Sequence, residues 1–142
     1  MRLFVWIAWA AAIFVLTCAS DSGFWMHNRP LSFQWVGSPD YSELLSFKTD
    51  YASMEMIVRK VGHFVSFGLF AVLFVRLGGG RKASFAVAVL YAVLTEMMQL
   101  HFARDGRLSD MMIDTAGIAC FLLFLPGRRP KQDARGRADP GL

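Results

Sequence analysis

"TEMMQLHFARDGRLSDMMIDTAG", residues 95–117, joins two stretches of lipid-like sequence and still carries Glu96, Gln99, Arg107, Asp110 and Asp114. Just upstream, residues 83–95 (ASFAVAVLYAVLT) hold no charge. Just downstream, residues 115–126 (TAGIACFLLFLP) hold none either. Apolar residues here come in runs instead of alternating with polar ones. The fold therefore depends on how the polar groups of this junction are accommodated beside hydrocarbon.

Two more runs lie further out. Residues 61–75 (VGHFVSFGLFAVLFV) are interrupted only by His63 and a serine, and residues 3–19 (LFVWIAWAAAIFVLTCA) carry no charge at all. A membrane-spanning helix needs roughly 17–25 residues. The last three runs reach that length only by taking in Arg59, Lys60 and His63, then Glu96 and Gln99, then Asp114. The chain is 55% hydrophobic and 18% charged, against about 25% charged in soluble domains. These features predict an all-α fold, an integral membrane bundle of four transmembrane helices. The expected spans are about 3–19, 57–77, 83–103 and 110–126, forming one membrane domain over residues 1–126. The remainder, 127–142, is rich in Gly, Pro and charge and is expected to be a disordered basic cytoplasmic tail. Its basic residues suit contact with anionic lipid.

The first run also fits a cleaved signal peptide, with Arg2 before an apolar core. Its exit, "VLTCASDSG", is a poor lipoprotein box, because threonine precedes Cys18. Cys18 and Cys120 make no disulfide framework and read as small apolar residues. Orientation follows the distribution of Lys and Arg. With the N-terminus inside, Arg2, Arg76, Arg81, Lys82, Arg128, Arg129, Lys131, Arg135 and Arg137 are cytoplasmic. The outer side receives Arg29, Lys48, Arg59, Lys60, Arg104 and Arg107, spread over more sequence. The expectation is a multi-pass protein of the cell membrane, N-in and C-in, with an outer loop over residues 20–56. The net charge of +4 needs no nucleic acid to explain it.

In that loop, Trp25, Phe33 and Trp35 suit the headgroup level. "SPD", residues 38–40, looks like a helix start: a capping serine, then proline at the first helical position. Phe47, Tyr51, Met54 and Val58 then recur as one apolar stripe. A short interfacial helix before the second span is expected, lying on the membrane or capping the bundle. His27 carries no signal, and His101 is turned to a different helix face from Gln99.

Depth sorts the polar residues. Lys60 falls near the outer rim with His63 one turn deeper. Glu96 lies about 10 Å below the outer end of the third span, at 1.5 Å per residue, and Gln99 shares its face. Asp110 sits at the rim of the fourth span, with Asp114 a turn deeper and Gly117 continuing the stripe. Ala92, Ala103 and Gly117 are small, which lets membrane helices approach closely. Charges in a membrane cost perhaps 2.5–3.5 kcal/mol each on insertion scales, so Glu96 and Asp114 need partners. Lys60 and Arg107 are the available cations, and His63 can take or give a proton. The expected site is a polar pocket made of Lys60, His63, Glu96, Gln99, Arg107, Asp110 and Asp114, open to the outer face.

Taken together, "KVGHFVSFGLF" (residues 60–70), "EMMQ" (96–99) and "RLSDMMIDTAG" (107–117) resemble the VanZ-like family of bacterial membrane proteins. The resemblance covers roughly residues 1–126. It rests on Lys60, His63 and Phe64 opening one helix, Glu96 and Gln99 ending the next, and Arg107, Asp110, Asp114 and Gly117 opening the last. Asp114 stands where many members carry asparagine, and "HFARDGR" replaces a commoner proline-containing turn. The resemblance implies work at the cell envelope, since the family's namesake is linked to low-level resistance to the glycopeptide teicoplanin.

Three functions fit the cluster. The favoured one is recognition of an outer-leaflet molecule, a lipid-linked cell-wall intermediate or a glycopeptide, with Arg107 and Lys60 on a phosphate or carboxylate. The second is catalysis, with His63 and Glu96 as acid and base, or His63, Glu96, Asp110 and Asp114 around a divalent ion. The third is a structural polar core without a ligand. No compact metal-ligand motif such as HExxH is present, and no metal or cofactor is expected. Ser109 has no neighbouring histidine in sequence to activate it as a nucleophile.

Overall fold

A computed structural model of the chain describes residues 1–21, 28–45 and 54–126. Among the described residues there are four α-helices and one short 3₁₀ turn, with no strand. The helices are α1 (Arg2–Cys18), α2 (Met54–Leu77), α3 (Arg81–His101) and α4 (Leu108–Phe124), one on each apolar run. Two stretches, Met56–Leu77 and Arg81–His101, are long and apolar enough to cross a membrane; α1 is apolar but shorter. Only 22% and 39% of the spanning windows of these two stretches is buried inside the bundle. Leu90, Leu94, Val61, Met112, Leu123, Phe4 and Ile7 all face outward. A soluble protein rarely leaves so much large apolar surface open.

The helix ends explain the turns. Arg81 donates from its guanidinium to the carbonyl of Leu125, tying the start of α3 to the end of α4. At the other end of α3, the Phe102 N–H bonds the carbonyls of Met98 and Gln99, and the Arg104 N–H bonds the Gln99 carbonyl at 2.9 Å. This six-to-one closure needs a left-handed residue between them. Ala103 supplies it at φ +53°, where glycine is usual. Ala103 has therefore left the helix, and it does not share the Glu96–Gln99 stripe as its spacing predicted. α3 stops at His101, two residues before the expected end of the third span.

Inside, α2 packs most extensively on α4. Phe67, Phe70, Ala71, Ala88, Ala92, Ile118, Leu122 and Ile13 form the apolar core. A Cβ added to Gly117 would collide with the backbone carbonyl of Phe64, so glycine is what lets α4 approach α2. α1 is held by hydrogen bonds as well as by packing. The Tyr91 hydroxyl donates to the Ala10 carbonyl at 2.6 Å and the Trp9 indole to the Ser66 carbonyl at 3.0 Å.

Residues 28–45 lap over the end of the bundle where α3 turns into α4. Trp35 stacks on His101 at 5.0 Å and meets Phe102 edge-on, as do Phe33 and Phe14. The Val36 N–H donates to the His101 carbonyl at 2.7 Å, and the His101 ring contacts the Val36 carbonyl and the Tyr41 hydroxyl. Phe33 and Trp35 thus contact the bundle end, and His101 fastens the loop to it. The helix start differs from its prediction. Asp40, not Ser38, caps the 3₁₀ turn Tyr41–Leu45 by accepting from the Ser42 N–H at 2.9 Å. Hydrogen bonds from the Ser42 hydroxyl and backbone N–H hold the Asp40 carboxyl below the usual aspartate range. Met54 and Val58 belong to the opening of α2 and are exposed. Trp25, His27, Phe47, Tyr51 and the tail 127–142 lie outside the described residues.

Candidate functional site

The polar residues of α2, α3 and α4 meet at the loop-covered end of the bundle. Each arrives there for a local reason. Lys60 and His63 are three residues apart on α2 and share a face. Glu96 and Gln99 do the same on α3, as do Asp110 and Asp114 at four residues' spacing on α4. Asp110 also lies in the first turn of α4, where the helix dipole favours negative charge.

The contacts divide the cluster into rim and floor. At the rim, the Lys60 ammonium meets Asp110 Oδ1 at 2.6 Å, with side chains 15% and 13% exposed. One turn deeper, His63 Nδ1 meets Asp114 Oδ1 at 3.1 Å, the histidine 14% exposed and the aspartate 0%. Glu96 is fully buried. Its carboxylate accepts the Arg107 backbone N–H at 2.9 Å and the Gln99 side-chain amide at 3.5 Å. One ligand-type atom from each of His63, Glu96 and Asp114 falls within 4.8 Å of the others. Three helices thus bring an imidazole and two carboxylates together.

The Arg107 guanidinium pairs with neither Glu96 nor Asp114, the carboxylates its charge is expected to offset. It donates instead to Asp105 at 2.7 Å, and the main chain of Arg107, not its side chain, reaches Glu96. The sequence reading missed Asp105 as its partner. The turn around it is tightly built. Gly106 sits against the Glu96 carbonyl, where any Cβ would collide, and Arg104 donates to the Ala19 carbonyl at 3.0 Å. That last bond ties the end of α1 to the α3–α4 turn. In the sequence Gly106 is the signal for this turn, but the direction of the turn is a tertiary property.

The charge count changes accordingly. Lys60 is engaged by Asp110 and Arg107 by Asp105, leaving His63 with Glu96 and Asp114 on the floor. Asp114 Oδ2 is buried and has no hydrogen-bond partner among the described residues. The Ser109 hydroxyl is likewise buried, and among the described residues no base hydrogen-bonds it to make it a nucleophile.

The family model described as VanZ/LLP1 matches residues 3–127. The chain is 28% identical over 127 residues to the uncharacterized membrane protein YwnJ of Bacillus subtilis (strain 168), covering 88% of this chain and 91% of that one. No solved structure matches. All the residues of the three-helix cluster fall inside the matched region, and the chain is a membrane protein of the VanZ/LLP1 family.

Proposed function

We propose that the chain crosses the cytoplasmic membrane four times with both ends inside, and that the cluster recognises an outer-leaflet envelope molecule. The tail 127–142 then lies in the cytosol as a basic extension of the membrane domain 1–126. The observation that carries this reading is the gradient of exposure. Lys60, His63, Asp110 and Arg107 are each partly open at one end of the bundle, above a floor of buried Glu96 and Asp114. Interhelical polar contacts in membranes contribute only about 0.6 kcal/mol on average, too little to explain burying so many charges for structure alone.

The ligand chemistry that fits the rim is a phosphate-bearing headgroup. A phosphate competes with Asp110 for the Lys60 ammonium and with Asp105 for the Arg107 guanidinium, which pairs well with oxyanions. Gln99, Asp110 and Asp114 suit hydroxyls and amides of an attached sugar or peptide. A lipid-linked cell-wall intermediate has both parts and lies at the right depth. A glycopeptide such as teicoplanin, an antibiotic that acts at the envelope, is the other candidate ligand, by the family's link to resistance.

Native mass spectrometry of the protein released from its own membranes tests this reading. A phosphate-containing lipid should co-purify with the wild-type chain and be lost in Lys60→Ala and Arg107→Ala, while added teicoplanin reports on the second ligand. Identical lipid adducts in all three proteins would contradict it. A second reading, acid–base chemistry by His63 and Glu96 on the same ligand, draws on the His63–Asp114 contact. It predicts that the bound lipid is chemically altered on incubation.

A further inference from the structure

With Glu96 and Asp114 both ionised, the floor of the cluster sets two carboxylates against one imidazole. Within the trio, a protonated His63 supplies one positive charge against the two carboxylates of Glu96 and Asp114. The nearby cations are already engaged, Lys60 by Asp110 and Arg107 by Asp105. Carboxylates kept from water need compensating charge or coordination. Asp114 adds a separate observation. Its side chain is fully buried and Oδ2 has no partner among the described residues, whereas buried polar atoms nearly always have one.

Geometry points the same way. Ligands bound at about 2.0–2.2 Å to one cation sit roughly 3.0–3.5 Å from their neighbours. The 3.1 Å between His63 Nδ1 and Asp114 Oδ1 lies in that range, and one ligand atom from each of His63, Glu96 and Asp114 falls within 4.8 Å of the others.

We propose that His63, Glu96 and Asp114 form a binding site for one divalent cation of the zinc or manganese kind. An imidazole nitrogen with two carboxylate oxygens suits such borderline ions better than calcium or copper(I). The Arg107 N–H and the Gln99 amide hold the Glu96 carboxylate, the kind of outer hydrogen bond that orients a metal ligand. Three protein ligands leave a coordination position free. The cation site goes beyond the envelope reading and does not depend on it, since its three protein ligands come from the floor and need no molecule at the rim.

The test uses the full chain, without a polyhistidine tag, purified in detergent and stripped with chelator. It is then equilibrated with Zn²⁺ or Mn²⁺, and metal is counted after gel filtration. The wild type should retain about one equivalent of one of them, falling at least tenfold in His63→Gln and Asp114→Asn. Gly37→Ala, a change into open space outside the cluster, should retain the full equivalent. Substitution with Co²⁺ gives visible ligand-field bands that the same two variants should lose. Where either variant elutes aggregated, Glu96→Gln replaces it. Uptake below a tenth of an equivalent of both metals by the wild type, or full uptake by the ligand variants, overturns the proposal.

Discussion

The carboxylate of Glu96, five residues before the end of α3, accepts the backbone N–H of Arg107 at 2.9 Å, the residue that caps α4. A side chain of one helix thereby satisfies a donor at the start of the next, which the opening of a helix leaves without an internal partner. The same carboxylate is part of the buried trio, so the turn and the site are built together.

Glu96→Ala should therefore destabilise the bundle by about 1–3 kcal/mol, the usual penalty for a buried donor left without its acceptor. Glu96→Gln keeps an acceptor in place and should cost less than half as much. Thermal unfolding of the detergent-solubilised proteins measures both, and equal losses would show that the Arg107 bond is not the cause.

The Lys60–Asp110 pair is short but not fully buried, so its coupling should fall between surface and interior values, about 1–2 kcal/mol. A double-mutant cycle with Lys60→Ala and Asp110→Ala gives that figure. Each single change should be more damaging than half of the double, because it strands the other charge in a poorly hydrated place. Strict additivity would mean that the two groups do not interact.

Gly117→Ala should cost about 1–3 kcal/mol by forcing α4 away from the Phe64 backbone, and Gly117→Leu should prevent assembly. Gly37→Ala, with open space around it, is the control and should be near neutral. The readout is the yield of monodisperse protein together with its unfolding temperature.

Ala103→Gly should stabilise the protein by about 0.5–1 kcal/mol. Relief of a left-handed alanine is worth roughly 1–2 kcal/mol, reduced by the greater freedom of glycine in the unfolded chain. A rise in unfolding temperature with unchanged metal uptake is the expected result. A fall would show that the turn draws on the alanine methyl for packing.

Much of this was legible in the sequence, and the reason is solvent. A membrane demands long apolar runs, so four helices could be read from composition. It penalises charge so heavily that Lys60, His63, Glu96, Gln99, Asp110 and Asp114 could be placed at one end of the bundle by depth alone. What escaped was whatever depends on main-chain direction. Arg107 was read by its guanidinium, yet its N–H makes the contact with Glu96. Ala103 was read as part of a helical stripe, yet it takes the left-handed position that turns the chain. His101 was assigned to another face of α3, and nothing in its neighbours announced that Trp35, Val36 and Tyr41 close over it from 60 or more residues away.

In the proposed orientation, the cluster formed by α2, α3 and α4 opens toward the outside of the cell. The direct measurement is cysteine labelling with a membrane-impermeant maleimide, on intact cells, in a chain carrying Cys18→Ala and Cys120→Ala. Asp105→Cys, at the exposed rim, should be labelled from outside. Gly80→Cys, in the turn between α2 and α3, should react only after the membrane is broken. Labelling of Gly80→Cys on intact cells with Asp105→Cys protected would place the site in the cytosol and contradict the account.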